Sequence, residues 1–483
     1  MRTGNTPGGR WSRGDRIGPD DAPAERLTDD PDCPPTGGDE MIDTGNTAWL
    51  LMSAALVMLM TPGLAFFYGG MSRAKSVLNM MLMSFGSIAV VSVLWVAVGH
   101  SLTYAPGHGP LELFIGGFDY VGLSSIITEV DEEGGYPLLV DAGFQMMFAV
   151  ITVALISGAI ADRAKFGAWL LFVPVWALMV YFPVAHWVWG EGWIARLHEF
   201  TGLPEVIDFA GGTAVHITAG AAALALVIVL GRRKGFGSGP MRPHNLPFVL
   251  LGAALLWFGW FGFNGGSAYG ANEEAALALV NTQAATAAAT AAWMLVERLR
   301  DGKVSALGFA SGAIAGLVSV TPAAANVTPI GATAVGALSG AVCAYAISWK
   351  FKFKYDDALD VVGIHMVGGL VGCLALGFLA SSAVPGEGAV GLAFGGGAGL
   401  LVAQAVSVLA VMSYTFVVTW GLAKVVDLII GFRIAEEVET NGLDHELHAE
   451  SAYAFDELDG SEPEAVSPST PPGGETVPSR TGT

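Results

Sequence analysis

From about residue 46 onward, apolar residues run in helix-length blocks separated by short polar connections. The blocks lie at 46–70, 78–104, 136–161, 167–190, 206–231, 246–268, 271–297, 304–322, 329–349, 359–382 and 399–430. Each is close to the roughly 20 residues that an α-helix needs to cross the hydrocarbon core of a bilayer. Pro62, Pro174 and Pro183 fall inside blocks, which neighbouring helices accommodate in a membrane. The pattern predicts an all-α polytopic membrane protein of about eleven transmembrane helices.

The connections alternate in charge. One set carries Arg73 and Lys75; Arg163 and Lys165; Arg232, Arg233 and Lys234; Arg298, Arg300 and Lys303; and Lys350, Lys352 and Lys354. The other set carries only Arg196. The positive-inside rule assigns the basic set to the cytoplasm. That puts the N-terminus outside and the C-terminus inside, which needs an odd number of spans; eleven meets both requirements. The block at 359–382 repeats the logic of 206–231: an acid (Asp360, Asp208), then glycine, then a histidine. This predicts a five-plus-five repeat followed by a final helix.

Composition agrees with lipid as the solvent. Of 483 residues, 53% are apolar and only 14% charged, where a soluble domain carries about a quarter charged. Mean hydropathy is +0.54. The 65 glycines suit helices that approach closely. The formal charge of -20 lies mostly in the two ends. Residues 1–45 and 433–483 are acidic and rich in Pro, Gly, Ser and Thr, a composition expected to stay disordered. The chain thus divides into a 1–41 acidic N-terminal extension, a 42–430 membrane domain and a 431–483 C-terminal region. The acidic balance also suits a high-salt cytoplasm, and so a haloarchaeal source. No apolar leader segment precedes the first block, and Met41 is a candidate start.

Candidate chemistry sits at membrane depth, where ionisable groups are costly and usually functional. His216 follows Asp208 by eight residues in DFAGGTAVH, and His365 follows Asp360 in DVVGIHMVGG. Glycines around both histidines let two helices press together, so the imidazoles can meet. Such a pair can hydrogen-bond a small polar solute or relay a proton. A metal is the weaker reading, since no third ligand is well spaced. Cys33, Cys343 and Cys373 have no metal or disulfide spacing. Asp208 opens its helix as an N-cap or adds negative potential. Trp187 and Trp189 end one block; Trp257, Trp260, Phe261, Phe263 and then Ser267 follow in LLWFGWFGFNGGS; Phe144 and Phe148 share a face. Trp193 and Trp293 read as interfacial belt residues. An indole face beside a hydroxyl is a receptor for a small cation. No nucleophile–base arrangement is present, and GGGAG at 395–399 reads as packing or loop. No enzyme activity, cofactor or nucleic-acid partner is expected.

These residues resemble the ammonium transporters (Amt/Mep/Rh), most nearly the prokaryotic Amt type, over nearly all of residues 42–453. The likeness is carried by AFFYGGMSRAKSVLNMM, FQMMFAVITVALISGAIADR, HWVWG, DFAGGTAVHITAG, WFGWFGFNGGSA, GIHMVGG and GFRIAEEVETNGLDHELHAESAY. The resemblance implies ammonium transport, with methylammonium as an analogue. It implies that Trp189 and Ser267, walled by Phe148, recruit external ammonium. Phe148 and Phe263 then form a gate, His216 and His365 a pore pair, Trp260 a pore wall, and Asp208 an acid below the recruitment site. It further implies a homotrimer in the cell membrane, and a cytoplasmic tail from about Gly431 to Tyr453 that meets PII-type signalling proteins. Disorder is then confined to residues after about 453. Trp187 stands where bacterial members commonly carry methionine. An ammonium sensor and a Rhesus-type gas channel are the alternatives.

Overall fold

A computed structural model describes residues 42–453, apart from 240 and 387. The expected disorder of 1–41 and 454–483, and the start at Met41, lie outside the described residues. Regular structure among the described residues is helical. Ten helices are long and apolar enough to cross a membrane: α1 Thr44–Met71, α2 Val77–Tyr104, α3 Leu138–Ile160, α4 Phe166–Trp189, α5 Gly212–Leu230, α6 Leu246–Gly266, α8 Ala306–Ala323, α9 Pro329–Phe353, α10 Val362–Leu379 and α11 Gly399–Ile430. Between them, α7 spans Glu273–Asp301.

The composition therefore counts ten spans, not eleven. Helix α7 is not counted because its polarity is turned inward. Asn281, Thr282, Thr286 and Thr290 are buried, while Leu279, Val280 and Leu295 are exposed. Asn281 donates from Nδ2 to the carbonyls of Ala324 and Val327, both at 2.8 Å. At about 1.5 Å per residue its 29 residues are long enough to cross. An average over the segment hides which face is apolar; only the faces show it.

Large apolar side chains stand exposed around the bundle, including Leu428 at 87%, Ile330 at 79% and Leu299 at 77%. A water-facing monomer does not carry so many, whereas lipid tails receive them at no cost. Helices α1 and α6 pack along their length. A Cβ on Gly252 would stand 2.3 Å from the Phe67 amide nitrogen, so the contact is nearly backbone to backbone. Trp293 is not a belt residue: it is 1% exposed, with the Gly312 face of α8 against its side chain.

Residues 433–453, acidic in composition, are folded rather than disordered. Two short helices, α12 Glu436–Asn441 and α13 Leu443–His448, lie against the basic connections. Phe432 and Ile434 bridge the α3–α4 connection through Lys165 N–H to Phe432 O and Ile434 N–H to Arg163 O. The buried Glu439 carboxylate accepts from Arg433 at 2.6 Å and from the Lys234 amide at 2.6 Å. Asp444 accepts from the Leu78 and Asn79 amides at the start of α2. Beneath them lies a buried ion cluster. Arg233 donates twice to Asp356 at 2.9 Å and once to Asp162 at 3.1 Å. Burial works to raise the Asp356 carboxyl, but the Arg233 fork overrides it and holds it below the usual carboxylate range. These bonds outweigh composition, because a carboxylate paired with guanidinium and amide donors no longer needs water.

Candidate functional site

Trp189, Phe148, Phe263, His216, His365 and Trp260, all singled out in the sequence, form one continuous column, whereas Trp187 packs on Tyr414 and Trp257 bonds Gln283 outside it. Trp189 closes α4 and meets Phe148 of α3 edge to face at 6.1 Å between ring centroids. Phe148 stacks on Phe263 of α6 at 4.2 Å and 27°. Phe263 lies over His216 at 6.0 Å and 24°. His216 faces His365 at 5.4 Å and 29°. Trp260, one turn before Phe263 on α6, stacks beside His216 at 5.4 Å and 23°. Its indole N–H donates to Thr321 Oγ1 at 2.9 Å, which fixes the ring plane. The 4.2 Å Phe stack leaves no room between the rings for a molecule.

Both histidines sit in π-helical turns, Gly212–Ile217 and Val362–Met366. Such turns recur at functional sites because one extra residue re-aims the side chain. Glycine brings the two turns together. A Cβ on Gly220 would stand 2.5 Å from the Met366 amide nitrogen, and one on Gly369 would meet Ile217. The imidazoles share a contact of 3.3 Å between His216 Nδ1 and His365 Nδ1. One Nδ1 must donate and the other accept, so the rings hold complementary tautomers and at least one is neutral. The far nitrogen, His216 Nε2, has no protein partner among the described residues.

Asp208 is a cap. Its carboxylate accepts from the amides of Gly211, Gly212, Thr213 and Ala214. Gly211, at φ +106°, lets the chain curl around that carboxylate before α5 begins. The backbone carbonyl of Asp208 accepts the Trp189 indole N–H at 2.9 Å. Asp360 does not mirror it, as the sequence repeat had suggested. Asp360 pairs with Lys350 at 2.5 Å, and the cap of α10 is Asp357, which accepts from Val361 and Val362. The spacing contains this signal: Asp357 precedes His365 by eight residues, as Asp208 precedes His216.

Above the Phe stack lies a cavity of about 310 Å³ whose walls include Trp189, Phe148 and Ser267. Ser267 donates to the Phe263 carbonyl at 2.9 Å, which leaves its lone pairs free to accept. Asp141, Gln145 and Tyr269 also line the cavity and were not read from the sequence. An acid in the first turn of the third block was the available signal. Thr321 carried none.

A model of the Ammonium Transporter Family matches residues 48–453. The chain belongs to the ammonium transporter family. It is 50% identical to an ammonium transporter of Mycobacterium tuberculosis over 446 residues, 87% of this chain and 92% of that one. It is 48% identical to an ammonium transporter of Bacillus subtilis, over 85% and 98% of the two lengths. The crystal structure of Saccharomyces cerevisiae Mep2 superposes with a TM-score of 0.76 at 32% identity, covering 82% and 89%. The protein is an ammonium transporter of the Amt/Mep type, with no enzyme among these relatives. A haloarchaeal source is not borne out, since these transporters come from other lineages. The acidity is concentrated in the ends rather than spread over the transporter's surface.

Proposed function

We propose that this transporter recruits ammonium from outside at Trp189, Ser267 and Phe148, removes a proton, and conducts ammonia past Phe148 and Phe263 along His216 and His365, with Trp260 as pore wall. The continuous column from Trp189 to His365 carries the proposal. A bare ammonium ion is strongly penalised in so apolar a passage, while ammonia is not. Desolvation beside the Phe stack lowers the ion's own pKa. Potassium has a similar size but neither donates hydrogen bonds nor loses a proton. Past the rings, the unpartnered His216 Nε2 and its counterpart on His365 offer ammonia one acceptor and one donor, given their complementary tautomers.

The proton crosses separately through the imidazole pair, which makes uptake electrogenic. Ammonium pulses on protein reconstituted on a supported membrane should give a transient inward current; uptake without current would end this part of the proposal. Trp189→Leu should abolish saturable methylammonium uptake at low concentration. Unchanged affinity would favour a Rhesus-type gas channel. Growth rescue of a transport-deficient strain on low ammonium separates transport from a sensor role, which would not restore growth.

The basic connections and the tail that binds them lie on the cytoplasmic side of the plasma membrane, the N-terminus is outside, and α7 is a further span that brings the count to eleven. Labelling of single cysteines in the Arg196 and Lys234 connections from opposite sides tests this. The functional unit is a homotrimer whose tail, Gly431 to Tyr453, receives a PII-type regulator. Mass measurement in detergent and pull-down of that regulator test these two statements.

A further inference from the structure

His186 opens the HWVWG segment in the last turn of α4, one turn before Trp189. It is 2% exposed, and both ring nitrogens face backbone carbonyl oxygens. Nδ1 lies 2.7 Å from the Thr103 oxygen and Nε2 lies 2.7 Å from the Glu112 oxygen. A neutral imidazole has one N–H and one lone pair, so it satisfies only one of these acceptors. The other contact would set a lone pair against a carbonyl oxygen. Only a ring with a proton on each nitrogen makes both bonds.

The surroundings favour that cation. Thr103 lies in the last turn of α2 and His186 in the last turn of α4, so the negative ends of two helix dipoles converge on the ring. His186 also lines a cavity of about 430 Å³ whose other charged side chains are Glu112, Glu191 and Arg196. Two carboxylates and one guanidinium leave a negative charge that an imidazolium balances. Around the ring the chain is tightly laced. The successive carbonyls of Glu112, Leu113 and Phe114 are taken by His186 Nε2, the Trp193 amide and the Trp187 indole. A Cβ on Gly190 would stand 2.0 Å from the Thr103 oxygen, so the chain leaving Trp189 passes directly over the other bond.

We propose that His186 is a buried imidazolium whose two carbonyl bonds position Trp189 at the outer mouth. The ring is a positioning residue: it acts through the indole, so this part rests on recruitment at Trp189. A neutral ring releases one carbonyl. The end of α4 then parts from either α2 or the α2–α3 connection, and the indole loses its fixed placement against Phe148.

Solid-state nitrogen NMR of the full chain, labelled at histidine and held in proteoliposomes at neutral pH, reads the charge directly. The signal that disappears in His186→Gln should belong to a ring protonated on both nitrogens. A lost signal with one unprotonated nitrogen overturns the proposal, and so does a parent spectrum with no doubly protonated ring. Methylammonium uptake reads the positioning. His186→Gln should raise KM about fivefold, the scale of one lost hydrogen bond, with the loss falling on KM rather than on Vmax. His186→Lys keeps a charge and several donors and should recover most of the affinity. A KM in His186→Gln within about twofold of the parent overturns the positioning role, and a raised KM that His186→Lys leaves unrepaired overturns the role of the charge. If His186→Gln fails to fold, His186→Lys supplies the difference spectrum, and a folded His186→Lys with a KM near the parent's supports the charged clamp. Trp189→Leu, run in parallel, separates the two readings: a parent-like KM there removes the indole site and leaves the NMR result standing.

Discussion

The Asp208 carboxylate accepts four backbone N–H bonds at the start of α5, and that use determines what substitution does. An asparagine there presents one acceptor oxygen and turns an N–H₂ group toward amide donors. At least two amides are left unpaired in a buried setting, at roughly 1–3 kcal/mol each. Asp208→Asn should therefore lower the thermal midpoint of detergent-solubilised protein by several degrees, and transport should fall with the amount of folded protein. A stable variant that fails only in ammonium affinity would instead make Asp208 a direct electrostatic element. Trp260→Phe keeps the ring against His216 but strands Thr321 Oγ1, which still donates to the Leu317 carbonyl. About 1 kcal/mol of stability is expected to be lost, read by the same unfolding measurement. Histidines, tryptophans and Ser267 were legible as candidates because polar and aromatic groups stand out against apolar blocks. Asp357 and Thr321 were not: one was masked by the nearer Asp360, the other looks like any threonine.

Helices α5 and α10 owe their approach to glycine rather than to apolar matching. Gly220 lies against the Met366 backbone with no space for a Cβ. Gly220→Leu should push the π-turns apart and separate His216 from His365. Overpacking costs about 1–3 kcal/mol, and transport should be lost even where the folded protein is recovered. Wild-type uptake from this variant would show that the imidazole contact is dispensable. Helix α7 makes the complementary point. Its polar buried face and apolar exposed face invert the soluble pattern, so a segment average undercounts it while the block pattern of the sequence includes it.

Across the whole molecule, the tail ties the basic connections together through Glu439 and Asp444. Glu439 contacts Arg433, Arg73 and the Lys234 amide. Glu439→Ala removes the buried acceptor of Arg433, which is partly exposed and keeps the Leu230 carbonyl, so about 1–2 kcal/mol is expected to be lost. The expected result is faster protease cleavage between α11 and α12, with the membrane bundle intact; cleavage at the parent rate would show that Asp444 and Phe432 hold the tail alone. The Asp356–Arg233 cluster has a sign that can be checked. The folded Asp356 carboxyl lies below its ordinary range, so its contribution is complete above the unfolded carboxylate range and is lost as pH falls below it. The share of stability that depends on Asp356, read as the difference between the parent and Asp356→Asn, should be constant from neutral pH down to about 4, the unfolded aspartate range, and shrink only under stronger acid.

The sequence by itself determined the membrane solvent, the helical class, the order of the blocks and the identity of the candidate pore residues. All of these depend on side-chain type and spacing along one chain. Composition alone misjudged the acidic tail at 433–453, because composition does not register a partner. Three things were decided only by tertiary structure: the 3.3 Å meeting of His216 with His365, which lie 149 residues apart; the use of Asp357 rather than Asp360 as a cap; and the gathering of Asp141, Gln145 and Tyr269 on one cavity. Each depends on which backbone groups and helices come near in space, and no period within a single segment encodes that.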